Sequence, residues 1–210
     1  MSKCFVQVGA GAGDQDSRAN FRDGFSELVK SCELGPDDKI VLVEPNPINL
    51  PALKKCWEAY PQARIHQIGI VPKADAGRKL VFYYAEEDAP HFQVGSFRSE
   101  HVLKHYESLS VGDLKTLEIG TTDLASFLTE TVGSDLVALL CLDIEGLDAE
   151  VLLDTDLASL NVAFVSFEHL HLGDKTEAVV SHFEQSGYVK VGVGIDHNGF
   201  DWLYKKESLA

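Results

Sequence analysis

Acids and imidazoles in this chain repeatedly stand just after runs of aliphatic residues, where side chains sit at the ends of strands. Glu44 follows Ile40-Val41-Leu42-Val43, and Asp143 follows the most apolar run, Leu136 to Leu142. Glu145 lies two residues further on. Glu168, His169 and His171 follow Val162 to Phe167. A carboxylate or imidazole placed this way can take the proton of a hydroxyl and make the oxygen a competent nucleophile. Imidazole is the side chain that changes charge near neutrality, which makes His169 a candidate base. Asp143, Glu145, Glu168 and His169 are therefore the catalytic candidates. Each has a structural alternative: Asp143 as a helix N-cap, Glu145 as a complement to a helix dipole, His169 as an exposed surface residue. Asp143, Glu168 and His169 could also ligate a divalent cation that polarises a hydroxyl. No tight ligand spacing ties these three together, so no metal is predicted. His101 and His105, spaced i, i+4, would share a helical face. They are second-choice ligands or acceptor contacts, against the alternative of a solvated face.

A second group of residues suits a bound nucleoside. Gly9-Ala10-Gly11-Ala12-Gly13-Asp14 follows the first strand pattern and precedes a helix pattern. Glycines there let a ligand approach the backbone. Glu44 is placed to accept hydrogen bonds from both hydroxyls of a ribose. The dinucleotide fingerprint Gly-x-Gly-x-x-Gly would put its third glycine at Asp14, whereas the glycines here are Gly9, Gly11 and Gly13. An aspartate beside the loop repels a pyrophosphate and suits a cationic ligand without phosphate. S-adenosylmethionine is such a ligand. A nicotinamide-dependent oxidoreductase remains the alternative, favoured by Glu44 and opposed by the glycine spacing.

These residues need a scaffold, and strand and helix patterns alternate along the chain. The alternation predicts a doubly wound α/β fold with a mainly parallel sheet. Strands are predicted at Cys4–Val8, Ile40–Val43, Arg64–Ile70, Lys79–Tyr84, Thr116–Ile119, Leu136–Leu142 and Val162–Phe167. Helices are predicted at Ser17–Cys32, Asn49–Tyr60, from the Thr121-Thr122-Asp123 caps through Val132, at Asp148–Leu153 and at Thr176–Ser186. Val189–Ile195 and Phe200–Tyr204 flank Asp196-His197-Asn198-Gly199, whose Asn-Gly pair predicts an antiparallel hairpin. Residues 71–115 form a connection too long to be idle. It carries His91, His101 and His105. The chain is thus read as one domain whose 71–115 insertion forms the acceptor wall, with Phe92, Phe97 and Tyr106 as its packing surfaces.

Composition narrows the classes. The chain has 210 residues, 45% of them hydrophobic and 24% charged. That excludes disordered, collagenous and coiled-coil chains. No apolar run approaches the roughly 18 residues of a membrane span. No signal-peptide pattern precedes the first strand. The formal charge of −15 argues against a nucleic-acid partner. Cys4, Cys32, Cys56 and Cys141 form no Cys-x-x-Cys pair and read as reduced thiols of a cytoplasmic protein.

Taken in order, the motifs resemble the FkbM-type family of class I S-adenosylmethionine-dependent methyltransferases. Gln7-Val8-Gly9-Ala10-Gly11-Ala12-Gly13 is similar to that family's glycine loop. Glu44-Pro45-Asn46-Pro47 matches its Glu-Pro-x-Pro, and Asp143-Ile144-Glu145-Gly146 its Asp-x-Glu-Gly. Thr121-Thr122-Asp123 and Glu168 resemble two further family positions. The resemblance implies a Rossmann-like seven-stranded sheet with an antiparallel last strand. It implies O-methylation of a hydroxyl on a sugar, polyketide or other small molecule. The cofactor residues it implies are Gln7, Gly9, Ala10, Gly11, Gly13, Asp14, Ser17, Glu44, Pro45, Asp143 and, near the adenine, Ile70. Gln7 stands where the family carries an acid, so the methionine ammonium falls to Asp14, Asp143 or a water. The family's serine pair is reduced to Ser96. These departures motivate a further alternative, a binding module without turnover.

Overall fold

A computed structural model describes residues 2–15, 23–86, 94–195 and 199–208. In chain order the elements are β1 (Lys3–Val8), α1 (Gly24–Ser31), β2 (Lys39–Val43), α2 (Leu50–Cys56), β3 (Ala63–His66), β4 (Gly69–Ile70), β5 (Lys79–Tyr84) and β6 (Gly95–Ser96). They continue with α3 (Ser99–Leu103), β7 (Lys115–Thr122), α4 (Leu124–Thr131), β8 (Leu136–Leu142), α5 (Asp148–Asp154), β9 (Val162–Glu168), α6 (Thr176–Gln185), β10 (Tyr188–Val193) and β11 (Asp201–Lys206).

The main sheet has seven strands in the order β10-β11-β9-β8-β1-β2-β3. Its members run parallel except β11, which is antiparallel to both β9 and β10. This is the mostly parallel sheet with an antiparallel hairpin that the sequence implies. The central strands are nearly continuous apolar runs because both faces are covered. Period-two alternation sends Val6, Val8, Val41, Val43, Leu140 and Leu142 to one layer, against Phe127 and Leu128 of α4, Val151 and Leu152 of α5, and Val179 and Phe183 of α6. Phe5, Ile40, Leu42, Leu139 and Cys141 face the other layer, against Phe25 and Val29 of α1 and Leu53 of α2. Strand order reverses between β2-β1 and β8-β9, which opens a crevice beyond the carboxyl ends of β1 and β8.

Some boundaries differ from expectation. Of the helix predicted at Ser17–Cys32, residues 17–22 lie outside the described residues; α1 begins at Gly24, where Asp23 is extended and caps it by accepting a hydrogen bond from Ser26 N at 3.3 Å. The second helix stops at Cys56. Trp57 leaves helical geometry and packs edge-on to Phe25 and Tyr60. The strand predicted at Arg64–Ile70 is two strands. Ala63–His66 pairs with β2, whereas Gly69–Ile70 turns away to pair with Thr121 and Thr122 of β7. A second sheet, β4-β7-β5-β6, results. Asp123 caps α4 by accepting from Ser126 N at 3.0 Å, as its position in the sequence predicts. The hairpin strands form, with a bulge between Lys190 and Gly192, while 196–198 of their turn lie outside the described residues. Among the described residues no helix is long and apolar enough to cross a membrane.

Candidate functional site

Strand register brings the site together. Val8 pairs with both Val43 and Leu142, so Gly9, Glu44 and Asp143 leave three neighbouring strands at the same level. Gly9 and Ala10 N–H both donate to Val43 O, at 3.0 and 2.9 Å. Asp143 N–H donates to Val8 O at 3.0 Å. Gly9 has φ +80, and a Cβ there would lie 1.8 Å from the carbonyl oxygen of Asp143, so only glycine fits. Glu44 is buried and pins the loop from the other side. Its Oε2 accepts from Gly11 N and its Oε1 from Asn46 N, each at 2.7 Å. Burial pushes the Glu44 carboxyl up to about 7, against the pull of those two N–H groups.

The same alternation that sends Phe5 toward α1 sends Gln7 there too, and Gln7 Nε2 donates to Asp23 Oδ1 at 3.0 Å. Gln7 Oε1 is shielded and has no partner among the described residues. Asp143 Oδ1 is likewise shielded and unpartnered. Burial, reinforced by Glu145, Glu168, Asp148 and Asp201, pushes Asp143 well above the usual carboxylate range. Asp143 is not a helix cap, since α5 begins after Leu147. Glu145 precedes that helix with φ 50, a conformation costly for a residue with a side chain. The segment 96–98 clasps the loop that carries these acids. Ser96 Oγ donates to Glu145 O at 2.8 Å, and Arg98 Nη1 donates to Gly146 O at 2.8 Å.

Gly9, Gly11, Glu44, Ser96, Asp143 and Glu145 border one cavity of about 620 Å³, a size usual for cofactor and ligand sites. Of the residues expected to bind a cofactor, Gln7, Gly9, Ala10, Gly11 and Gly13 line it, as do Glu44, Pro45, Ile70 and Asp143. Glu145 and Glu168 line it as well. Asp14 points elsewhere and pairs with Lys30 at 2.5 Å. Ser17, His91 and Phe92 lie outside the described residues. His169 stacks on Trp202 with ring centroids 4.5 Å apart, and His171 reaches the cavity in its place. Phe97 lines the cavity, and Tyr106 is buried beside Ala85, Val94, Val102 and Leu114.

Sequence reasoning missed Asp23 and Asp201, and it did not join His171 to His101 and His105. Asp23 is separated from Gln7 by 16 positions, and only the facing of β1 toward α1 unites them. The three histidines form a cluster with one ligand atom from each within 4.8 Å of the others. His101 Nε2 is 2.9 Å from Glu145 Oε2, and His171 Nε2 is 3.7 Å from Glu168 Oε2.

The cavity wall carries Asp23, Glu44, Asp143, Glu145, Glu168 and Asp201, and none of its described lining residues is lysine or arginine. That donor set fits a cation. The titration of these acids is testable. Burial raises Glu44 to about 7 and Asp148 to about 6, and it raises Asp23, Asp143 and Asp201. The native state then holds protons that the unfolded chain has released, so stability falls as pH rises from about 4.5 to about 7. Acids with lowered values, such as Asp123 and Glu150, act at lower pH. A bound cation favours the charged forms. Its addition should therefore raise the melting temperature more at about pH 8 than at about pH 5.5. An equal rise at both would refute the acid-lined binding site.

Comparison with known proteins decides the family. The sequence matches the methyltransferase FkbM domain over residues 7–190. The chain belongs to the FkbM methyltransferase family. S-adenosylmethionine is the cofactor of FkbM methyltransferases, and the nicotinamide reading falls away. No curated protein matches this FkbM methyltransferase significantly. Among solved structures it is similar to the fibrillarin pre-rRNA processing protein of Methanococcus jannaschii, with TM-score 0.49 and 10% identity over 99% of this chain and 67% of that one. It is similar to Aeropyrum pernix fibrillarin, solved with natively bound S-adenosylmethionine, with TM-score 0.47 and 9% identity over 97% of this chain and 65% of that one. A precorrin-6y C5,15-methyltransferase from Geobacter metallireducens gives TM-score 0.44 and 12% identity over 99% and 81%. The chain thus spans about two thirds of the length of the two fibrillarins.

Proposed function

We propose that this FkbM methyltransferase transfers a methyl group to a hydroxyl oxygen of a small molecule or glycan, with Asp143 as the base. The observation that carries this reading is Asp143 Oδ1, shielded and unpartnered on the cavity wall beside the glycine loop. A carboxylate raised by burial and by neighbouring acids is a stronger base than a solvated one once it has lost its proton. S-adenosylmethionine, when bound, supplies a methyl group on a sulfonium, which is already a good electrophile. The chain's own task is then to align the acceptor, exclude water and accept one proton. Glu44 accepts from two backbone N–H groups and from the Asn49 side chain, and a carboxylate has about four acceptor positions, which leaves capacity for a ribose hydroxyl. Gln7 Oε1 and Asp23 offer the ammonium an acceptor and a charge, work that the sequence left to Asp14, Asp143 or a water. Glu168 borders the same space as Asp143.

The acceptor wall is assigned to the 71–115 insertion within a single domain. Val94, Gly95, Ser96, Phe97 and His105 support this, since all border the cavity. The charge of −15 supports a small-molecule acceptor over nucleic acid. The four cysteines are free, and burial pushes the thiols of Cys4 and Cys56 up to about 12 and about 11. Such thiols are poor nucleophiles, which leaves them no part in the chemistry proposed here.

Calorimetric titration of Glu44→Ala with S-adenosylmethionine tests the cofactor half. Loss of charge-assisted hydrogen bonds worth about 1.5–3 kcal/mol should weaken binding roughly ten- to hundredfold, with circular dichroism unchanged. Wild-type affinity in that variant would overturn the placement of the cofactor.

A further inference from the structure

We propose that His101, His105 and His171 form a binding site for a divalent transition-metal ion of the zinc type on the wall of the cofactor cavity. Three separate features of the chain build it. The i, i+4 spacing puts His101 of α3 and His105 just beyond it on one face. The turn after β9 brings His171 to the same place, with its ring 4.9 Å from that of His101 and 6.3 Å from that of His105. One ligand atom from each of the three lies within 4.8 Å of the others. An ion held at about 2.0–2.1 Å from each nitrogen needs them roughly 3.4 Å apart, so binding would draw the three nitrogens closer together.

The surroundings hold this cluster in place. His101 is 3% exposed. It presses so close to Gly146 that a Cβ there would lie 2.5 Å from its Nδ1. Arg98, at the start of α3, is tied to Gly146 O and to Glu150. Two of the imidazoles have a carboxylate beside them, Glu145 for His101 and Glu168 for His171. Carboxylates next to metal-binding imidazoles orient the ring and raise its basicity. The nitrogen donors of the three imidazoles match zinc and its borderline-soft neighbours, not magnesium or calcium.

Three imidazoles leave a coordination position open. His105, His171, Glu145 and Glu168 all border the cavity, so that position faces the space given above to the acceptor. There an ion would lower the pKa of a hydroxyl bound to it. This last role rests on the hydroxyl-acceptor reading; the binding of the ion does not.

The test uses the full chain, treated with a chelator and then titrated with Zn2+ alone by calorimetry and with Co2+ alone by visible absorption. One equivalent of each should bind, and Co2+ should develop ligand-field bands. His105→Ala and His171→Ala should each weaken binding by about tenfold or more and alter those bands. His171 is exposed, so its variant should fold, and His101→Gln probes the buried ligand. Without metal, the His171 variant should keep the wild-type circular dichroism spectrum and melting temperature. Absence of stoichiometric binding in the wild type, or binding that the histidine variants leave intact, would overturn the site. Metal binding without methylation of any hydroxyl would uphold the site and overturn the acceptor reading. Methylation undiminished in chelated enzyme that binds neither metal would overturn the site alone.

Discussion

Asp143→Asn should abolish methyl transfer while leaving the fold and cofactor binding largely in place. The change keeps the shape of the side chain and removes its ability to hold a proton. Losing a positioned base costs about 10²–10⁴ in rate. The measurement is incorporation of labelled methyl from S-adenosylmethionine into a panel of hydroxylated acceptors, followed as kcat with KM for the cofactor in parallel. The fall should appear in kcat. The wild-type rate should climb with pH as Asp143 loses its proton, because its titration is raised by burial among other acids. The variant should lack that limb. A rate within a few-fold of wild type, or an unchanged pH profile, would remove Asp143 from the chemistry. Failure of the wild type on every hydroxyl offered, with cofactor bound, would favour a binding module.

Gly9→Ala should be the most damaging change in the glycine loop. The new Cβ would meet the Asp143 carbonyl at 1.8 Å, at a backbone angle of φ +80 that L residues avoid. Neither atom can yield, since Gly9 N and Asp143 N are both tied into the sheet by hydrogen bonds. Strain and displacement together should cost about 2–4 kcal/mol, lowering the melting temperature by roughly 5–15 °C. Cofactor binding should vanish, because the loop and Asp143 would be pushed apart. Gly120→Ala is the control, with nothing within 4 Å of the added atom. Equal melting temperatures for the two variants would refute the close approach.

Much of the frame is legible because it is local. A run such as Leu136–Leu142 is a buried parallel strand on composition alone, and an acid placed directly after it must lie at the mouth of the sheet. Glu44 and Asp143 are found that way. What fails is whatever depends on facing and on distant packing. His169 draws attention as the neighbour of Glu168. Period two, however, puts it on the face of Phe167, and both pack against Trp202. The third strand pattern is continuous from Arg64 to Ile70, and no residue in it announces that Gly69 and Ile70 will pair with β7. Asp23 falls inside the helix pattern read from Ser17 to Cys32, yet it caps the helix that starts at Gly24. Its place on the cavity wall follows only from the stacking of α1 on the face that carries Gln7. His101 and His105 show their shared face in their spacing, but His171 joins them through tertiary contacts alone.

The clasp from Ser96 and Arg98 has an evolutionary consequence. Both reach the acid-bearing loop through main-chain carbonyls, those of Glu145 and Gly146. Every amino acid carries that oxygen, so the grip does not read which side chains the loop displays. Descendants of this chain can exchange residues between Asp143 and Gly146 without loosening the attachment. Architecture and reactivity can therefore be inherited separately, and new acceptors can be acquired without rebuilding the sheet.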